Sequence, residues 1–403
     1  MKRILFVMSD TGGGHRAAAE AIIAALDARY PGQFKARLID AWRHTPYPFN
    51  LSPETYEPTV RYARFGWEAG YKLTNHPTAS KVAMEPMYHA LFKSGMNRIV
   101  RRIDYYDLIV CVHSVFVRPM LRALARRNRR PPFITVVTDL VSTHMWWYDP
   151  RVDRCLVPTR AAYDRGLRAG LKPEQLRITG LPVHPRFALG VIDKGAARAL
   201  LGWDPALPAV LLVGGGAGIG PVYKIARAIN ARRLPCQLAI VAGRNAHLKA
   251  RLDAADWNQP THIYPYVNNM PTLMAAADIL VTKAGPGTIS EACIAGTPMV
   301  LSGMIPGQEE GNVAYVVENH AGVWAPGPAK VARAVSEWLA EGPAGLARRA
   351  AAAKALGRPN AVWDIAEEVW HYANQPPVLI DQRGYRRTAL LPYPDIRPER
   401  TPS

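Results

Sequence analysis

Ile4-Leu5-Phe6-Val7-Met8-Ser9-Asp10-Thr11-Gly12-Gly13-Gly14-His15 is the stretch that decides the fold. Five apolar residues read as a buried strand and stop at a polar turn. Three glycines follow, and Arg16-Ala17-Ala18-Ala19-Glu20-Ala21-Ile22-Ile23 reads as a helix. Glycines at a strand-to-helix turn let a ligand approach the backbone and leave N–H groups facing it. The run is not a dinucleotide fingerprint, because the G-x-G-x-x-G spacing is absent. His15 stands at the mouth of the turn, where a base can meet a substrate. The alternative is a tight turn with an inert histidine at a helix start.

The same alternation continues along the chain and argues for parallel α/β layers. Strands are expected near Arg3–Met8, Lys35–Ile39, Leu108–Val112, Phe133–Val137 and Cys155–Val157, then near Ala209–Val213, Gln237–Val241, His262–Tyr264, Ile279–Thr282 and Met299–Leu301. Each set makes one doubly wound sheet, so the 403 residues divide into domains 1–190 and 191–360. The Pro- and Arg-rich stretch 376–403 reads as a tail. Residues 43–107 interrupt the first alternation with an aromatic and partly basic insertion in which Tyr56, Tyr62, Phe65, Trp67 and Tyr71 lie close together. Two readings stand for it: a membrane-interface element, or helices packed on the sheet.

With 49% hydrophobic and 20% charged residues, the composition is that of a soluble globular chain. No run reaches the ~20 apolar residues of a membrane span. The first apolar stretch is too short for a signal peptide, and a cytoplasmic protein is expected. Four separated cysteines without a C-x-x-C suggest neither disulfides nor a zinc site. The net charge of +18 is uneven: residues 1–190 hold 29 Lys and Arg against 15 Asp and Glu. Arg118, Arg122, Arg126, Arg127, Arg129 and Arg130 form a stretch without an acid, and 81–102 adds five basic residues against Glu85. Such a patch attracts an anionic bilayer or nucleic acid, or is a solvated surface. No zinc-finger or RNP pattern supports nucleic acid.

Four further segments carry chemistry. Gly214-Gly215-Gly216-Ala217-Gly218-Ile219-Gly220 follows a strand directly and forms a second anion cradle. Lys283-Ala284-Gly285-Pro286-Gly287-Thr288 ends another strand and opens a helix carrying Glu291. Gly287 and Thr288 offer donors to a diphosphate, and Glu291 can accept from a vicinal diol; its alternative is an ordinary helix acid. Pro306-Gly307-Gln308-Glu309-Glu310-Gly311-Asn312 suits a polyhydroxyl ligand. In the first half, Asp139 ends a strand, with His144 and Trp147 shortly after; it can orient a histidine, hold a hydroxyl or cap a helix.

Together these segments resemble the monogalactosyldiacylglycerol synthases, within the larger group of glycosyltransferases that includes the peptidoglycan N-acetylglucosaminyltransferase. The resemblance spans most of 1–372 and rests on SDTGGGHRAAAEAI (9–22), VTDLVSTHMWW (137–147), DRCLVPT (153–159), ITGLPVHPRF (178–187), LLVGGGAGIG (211–220), VTKAGPGTISEACIAGTPMVL (281–301) and PGQEEGNVAYVVEN (306–319), in that order. It implies a GT-B fold of two Rossmann-like domains facing across a cleft, the first binding the lipid acceptor and the second a UDP-sugar, with the helix at 361–375 crossing back to the first. It further implies inverting transfer of a hexose from UDP-galactose or UDP-glucose to 1,2-diacylglycerol, giving a β-glycoside.

By the same resemblance His15 is the general base. Asp139 is expected beside it as a second catalytic residue near the acceptor, and Gly13, Gly14, His144 and Trp147 are expected to line the acceptor cleft. Gly216, Gly218, Gly285, Gly287 and Thr288 meet the phosphates, Glu291 meets the ribose, and Gln308, Glu309 and Asn312 meet the sugar. Pro286 departs from the glycine of many bacterial relatives and follows the plant-type Gly-Pro-Gly form, which favours galactose. Met145-Trp146 replaces a more usual polar or proline pair. No Asp-x-Asp suited to a divalent ion is present, so no metal is expected. The remaining expectations are a peripheral protein at the cytoplasmic face of the cell membrane, anionic lipids as partners and no nucleic acid. A glucosyltransferase and a UDP-sugar epimerase of the same fold are the alternatives.

Overall fold

The computed structural model describes residues 1–11, 13–55, 59, 63–76, 84–190, 192–216, 218 and 220–380. Gly12, Tyr56, Tyr62, Lys81, Ala217, Ile219, the side chains of Phe65 and Trp67, and 381–403 lie outside that description. The chain forms two compact units: Met1–His184 with Pro306–Gln308 and Asn360 onward, and Pro185–Ile305 with Glu309–Pro359.

In the first unit the strands are β1 (Lys2–Met8), β2 (Phe34–Asp40), β3 (Leu108–Cys111), the two-residue β4 (Arg129–Arg130), β5 (Phe133–Val136), β6 (Arg154–Val157) and β7 (Leu176–Ile178). Six of them make a parallel sheet in the order β2-β1-β3-β5-β6-β7. Ile4 to Met8 are all buried, as expected of a parallel strand covered on both faces. Helix Gly14–Arg29 covers one face through Ala18, Ala19, Ala21, Ile22, Ala25 and Leu26, the helical spacing of an apolar stripe. Helix Ala361–Ala373 packs beside it in the same core through Val362, Ile365, Ala366 and Val369. Tyr30 stacks on Trp370 at 4.4 Å. Glu368 on that helix receives Arg154 at 2.9 and 3.0 Å and Arg177 at 2.7 Å.

The second unit repeats the architecture with β8 (Ala209–Val213), β9 (Gln237–Val241), β10 (Thr261–Tyr264), β11 (Ile279–Lys283), β12 (Met299–Gly303) and β13 (Gly322–Trp324). Their order is β10-β9-β8-β11-β12-β13, all parallel. Both sheets are doubly wound, the expected class. In each, the order reverses beside the first strand, between β1 and β3 and between β8 and β11. The crevice at the carboxyl ends of such strands is where open α/β sheets bind ligands.

Three details differ from the sequence reading. The sheets gain the short edge strands β7 and β13, whose three residues carry too little pattern to stand out. The insertion divides: Met84, Tyr88, Phe92 and Met96 are buried in the core, while Tyr47, Phe49, Leu51 and Leu73 are exposed. The tail does not begin at 376, because Val378–Leu379 pairs antiparallel with Arg129–Arg130.

Candidate active site

At the first unit's switch point, β1 ends and the chain turns through Gly13, whose φ of 75° is in the left-handed region natural to glycine. Gly14 opens the helix, and His15 is its second residue. The His15 ring reaches the end of β3, where Nδ1 lies 2.8 Å from the Val112 carbonyl and 2.9 Å from Thr138 Oγ1. A carbonyl only accepts, so Nδ1 carries the proton and Nε2 holds the lone pair. Burial pushes the His15 pKa down to about 4, opposed in part by the Val112 bond. His15 is therefore neutral at pH 7, as a base must be.

Around His15 stand residues that sequence reading did not single out. His113, just past β3, lies with its ring centroid 4.2 Å from that of His15. Its Nδ1 accepts the Val115 N–H at 3.3 Å as the N-cap of helix Ser114–Leu124, and its Nε2 faces Thr11 Oγ1 at 3.3 Å. Burial, then the neighbouring His15, holds its pKa well below the ordinary value. His113 has no local signature, since its partner Thr11 lies about a hundred positions away in the chain, whereas Thr138 falls within the 137–147 motif.

Asp139 is buried, and its Oδ2 accepts the Trp147 indole N–H at 2.6 Å. Gln308, which clusters with this unit, donates to Asp139 Oδ1 at 3.3 Å. Trp147 is wholly buried and braces Asp139 from behind. His144 is a cap: its Nδ1 accepts the Trp146 N–H at 3.1 Å and its Nε2 faces Thr74 Oγ1 at 3.2 Å. Desolvation, then Arg165, lowers the His144 pKa to about 3.

In the second unit, the glycine loop after β8 packs against 242–245. Arg244 N–H donates to the Gly216 carbonyl at 2.9 Å. Gly218 has φ +62°, and a Cβ there would stand 2.1 Å from the Ala242 carbonyl oxygen. Only glycine fits. The second turn runs from β11 into helix Pro286–Ala295 with Gly285 as N-cap. Gly287 and Thr288 carry its first N–H groups, which have no carbonyl one turn back within the helix; Pro286 has no N–H at all. Over this turn lies Lys283, whose Nζ would be 3.0 Å from a Cβ on Gly285. Lys283 was not singled out either, although a cation closing an apolar strand is a legible signal.

Glu309 and Asn312, read as ligand contacts, are buried supports of that turn. Glu309 accepts Lys283 Nζ at 2.7 Å and the Ile305 N–H at 2.8 Å. Asn312 Nδ2 donates to the Ala284 carbonyl at 3.0 Å. Glu291 differs: among the described residues it has no hydrogen-bond partner, and burial, opposed by Arg186, pushes its pKa up to about 7. Among the described residues no group of three or more His, Cys, Asp or Glu is placed to hold a metal ion.

The arginine stretch does not form one open patch. Arg130 is buried against Asp153 and the Arg151 carbonyl. Arg122 pairs with Glu85 over the Tyr88 ring, and Arg127 pairs with Asp104. Arg118 is half-buried, whereas Arg126 and Arg129 are exposed.

Two family models match the chain: monogalactosyldiacylglycerol (MGDG) synthase over 15–183 and the glycosyltransferase family 28 C-terminal domain over 209–358. A probable monogalactosyldiacylglycerol synthase 2 of Oryza sativa subsp. japonica is 38% identical over 404 residues, covering 97% of this chain and 85% of that protein. Monogalactosyldiacylglycerol synthase 1 of Arabidopsis thaliana is 37% identical over 380 residues, covering 91% and 70%. Among solved structures, MurG of Acinetobacter baumannii aligns with a TM-score of 0.60 at 13% identity, over 92% of this chain and all of that one, a likeness of fold. Both plant proteins are chloroplastic by name, which overturns the expected placement at the cytoplasmic face of the cell membrane. Arginines and exposed aromatics carry no address for a compartment. The chain belongs to the monogalactosyldiacylglycerol synthase family and is a glycosyltransferase of the GT-B fold.

Proposed function

We propose that this chain transfers a hexose, galactose in preference to glucose, from a UDP-sugar to 1,2-diacylglycerol with inversion, giving a β-monoglycosyldiacylglycerol. The observation that carries the reading is His15: its Nδ1–H is fixed by Val112 and Thr138, and its Nε2 lone pair is neutral and available. Nε2 takes the acceptor hydroxyl proton as the oxygen bonds to the anomeric carbon and the bond to the diphosphate breaks. A base with so low a pKa gives modest proton-transfer drive, so the leaving group must supply much of the rest. The second unit is suited to that. The N–H groups of Gly287 and Thr288, the helix dipole behind them and the Lys283 ammonium favour developing negative charge. Glu291 takes the ribose hydroxyls, the glycine loop with Gly216 and Gly218 takes phosphate, and Gln308 serves the acceptor side beside Asp139.

Galactose is favoured by the relatives' names and by Pro286 between Gly285 and Gly287. Arg126 and Arg129, with the exposed Tyr47 and Phe49, suit an anionic lipid surface. The test is a paired donor assay with diacylglycerol in anionic vesicles and either UDP-galactose or UDP-glucose, the glycolipid being identified. Product from UDP-galactose alone is expected. Product from UDP-glucose alone makes it a glucosyltransferase. Interconversion of a UDP-sugar without lipid makes it an epimerase.

A further inference from the structure

His113 is a second imidazole at the candidate site, and none of the steps above uses it. Three elements meet on its ring. Its Nδ1 caps helix Ser114–Leu124 by accepting the Val115 N–H. With Nδ1 accepting, the proton is on Nε2, which donates to Thr11 Oγ1 at 3.3 Å. Thr11 is tied in turn to Ser9, its N–H and its hydroxyl each 3.1 Å from Ser9 Oγ. Its ring lies against that of His15, the centroids 4.2 Å apart and the planes tilted by 47°. His113 thus joins the loop that leads into the glycines, the end of β3 and the ring of the base. Both ring nitrogens are engaged, so it cannot itself take a substrate proton.

We infer that His113 is a positioning residue: it clamps the 9–11 loop to the end of β3 and forms the wall that holds the His15 ring with Nε2 toward the acceptor. The inference rests on the reading of His15 as the base. Two restraints then fix the imidazole, the Val112–Thr138 pair at Nδ1 and the tilted His113 ring beside it. This arrangement differs from the usual carboxylate behind a catalytic histidine, because Asp139 is bound to Trp147. The neutral His113 ring also covers one side of the His15 imidazole, which is otherwise partly accessible. The titratable and charged groups around it are His113 after β3, Asp139 behind Trp147, and the Asp10–Arg16 pair on the β1 loop and helix.

Two substitutions separate the roles of the ring. His113→Asn keeps a good N-cap acceptor and removes the wall. His113→Phe keeps the wall and removes both hydrogen bonds. In His113→Asn, kcat falls at least about tenfold, since displacing a reacting group by an ångström costs up to about a hundredfold. The acid limb of its pH–rate profile moves up from near pH 4 toward 6.5 as water reaches His15. In His113→Phe the limb stays near pH 4, and the loss appears as a lower melting temperature. UDP affinity, carried by the other unit, stays at the wild-type value in both, and a wild-type far-ultraviolet circular dichroism spectrum with a cooperative unfolding transition reports that the first unit, which holds His113, folds. A His113→Asn protein that binds UDP with wild-type kcat and an unmoved limb overturns the inference; so does a lower kcat with an unmoved limb, which marks mere loosening. Full activity in His15→Ala overturns the base reading instead.

Discussion

Uridine should bind this protein about tenfold more tightly at pH 8 than at pH 6. The reasoning starts from Glu291, a half-buried carboxyl without a hydrogen-bond partner among the described residues, raised by desolvation from its ordinary 4.5 to about 7. A ribose diol donates hydrogen bonds, so it needs the ionised form. With a pKa near 7, the ionised fraction is about nine-tenths at pH 8, half at pH 7 and one-tenth at pH 6, and the apparent Kd scales inversely with that fraction. The shift also has a stability consequence of definite sign. The folded protein binds this proton more tightly than the unfolded chain, so the associated stability is complete below pH 4.5 and is lost as pH rises through 7. The loss is at most about 3 kcal/mol for a shift of this size. Glu291→Gln should therefore flatten the binding profile and leave the ligand-free protein more stable than wild type at pH 8. Titration calorimetry with uridine, which has no phosphate to titrate, reads the first effect; urea unfolding at pH 5 and pH 8 reads the second. Uridine affinity that is flat from pH 6 to 8, or an equal slope in Glu291→Gln, refutes the assignment.

Gly218→Ala should abolish UDP binding: φ +62° alone costs an L-residue roughly 1–2 kcal/mol, and its Cβ would collide with the Ala242 carbonyl, so calorimetry should show no saturable heat. Glu368→Ala should destabilise the first unit by about 3–5 kcal/mol, because Arg154 and Arg177 would keep their charges in a partly buried site without their common carboxylate; the denaturant midpoint measures this, and a change below about 0.5 kcal/mol would mean the triad is solvated. Removing Arg126 and Arg129 together should weaken sedimentation with anionic vesicles, by about 1 kcal/mol for each charge lost, more at low salt than at high. Arg130→Ala should instead lower the melting temperature, since that guanidinium is buried against Asp153.

What could be read from the chain, and what could not, divides by how far the deciding partner lies in sequence. β1, β8 and β11 were legible because strands buried on both faces are continuous apolar runs, and a glycine turn then a helix follows each within a few residues. His15, Gly285 and Glu291 were legible as candidates for the same reason: the turn that presents them is local. The tasks of Glu309 and Asn312 were not. A carboxylate and an amide in a glycine-rich loop look like ligand contacts until folding brings Lys283 and the Ala284 carbonyl against them. Arg130 belongs to a row of like charges on paper, yet Asp153, brought alongside by β6, neutralises it inside the protein. His113 is the extreme case. Its segment, Cys111-Val112-His113-Ser114, carries no pattern of its own, and its partners Thr11 and His15 arrive only when β3 docks beside β1. A doubly wound sheet places its reactive groups at the one seam where strands distant in sequence become neighbours. The residues that orient such groups are therefore the ones a linear reading is least able to find, and a search for positioning residues in relatives of this fold should begin at the first two residues past the third strand.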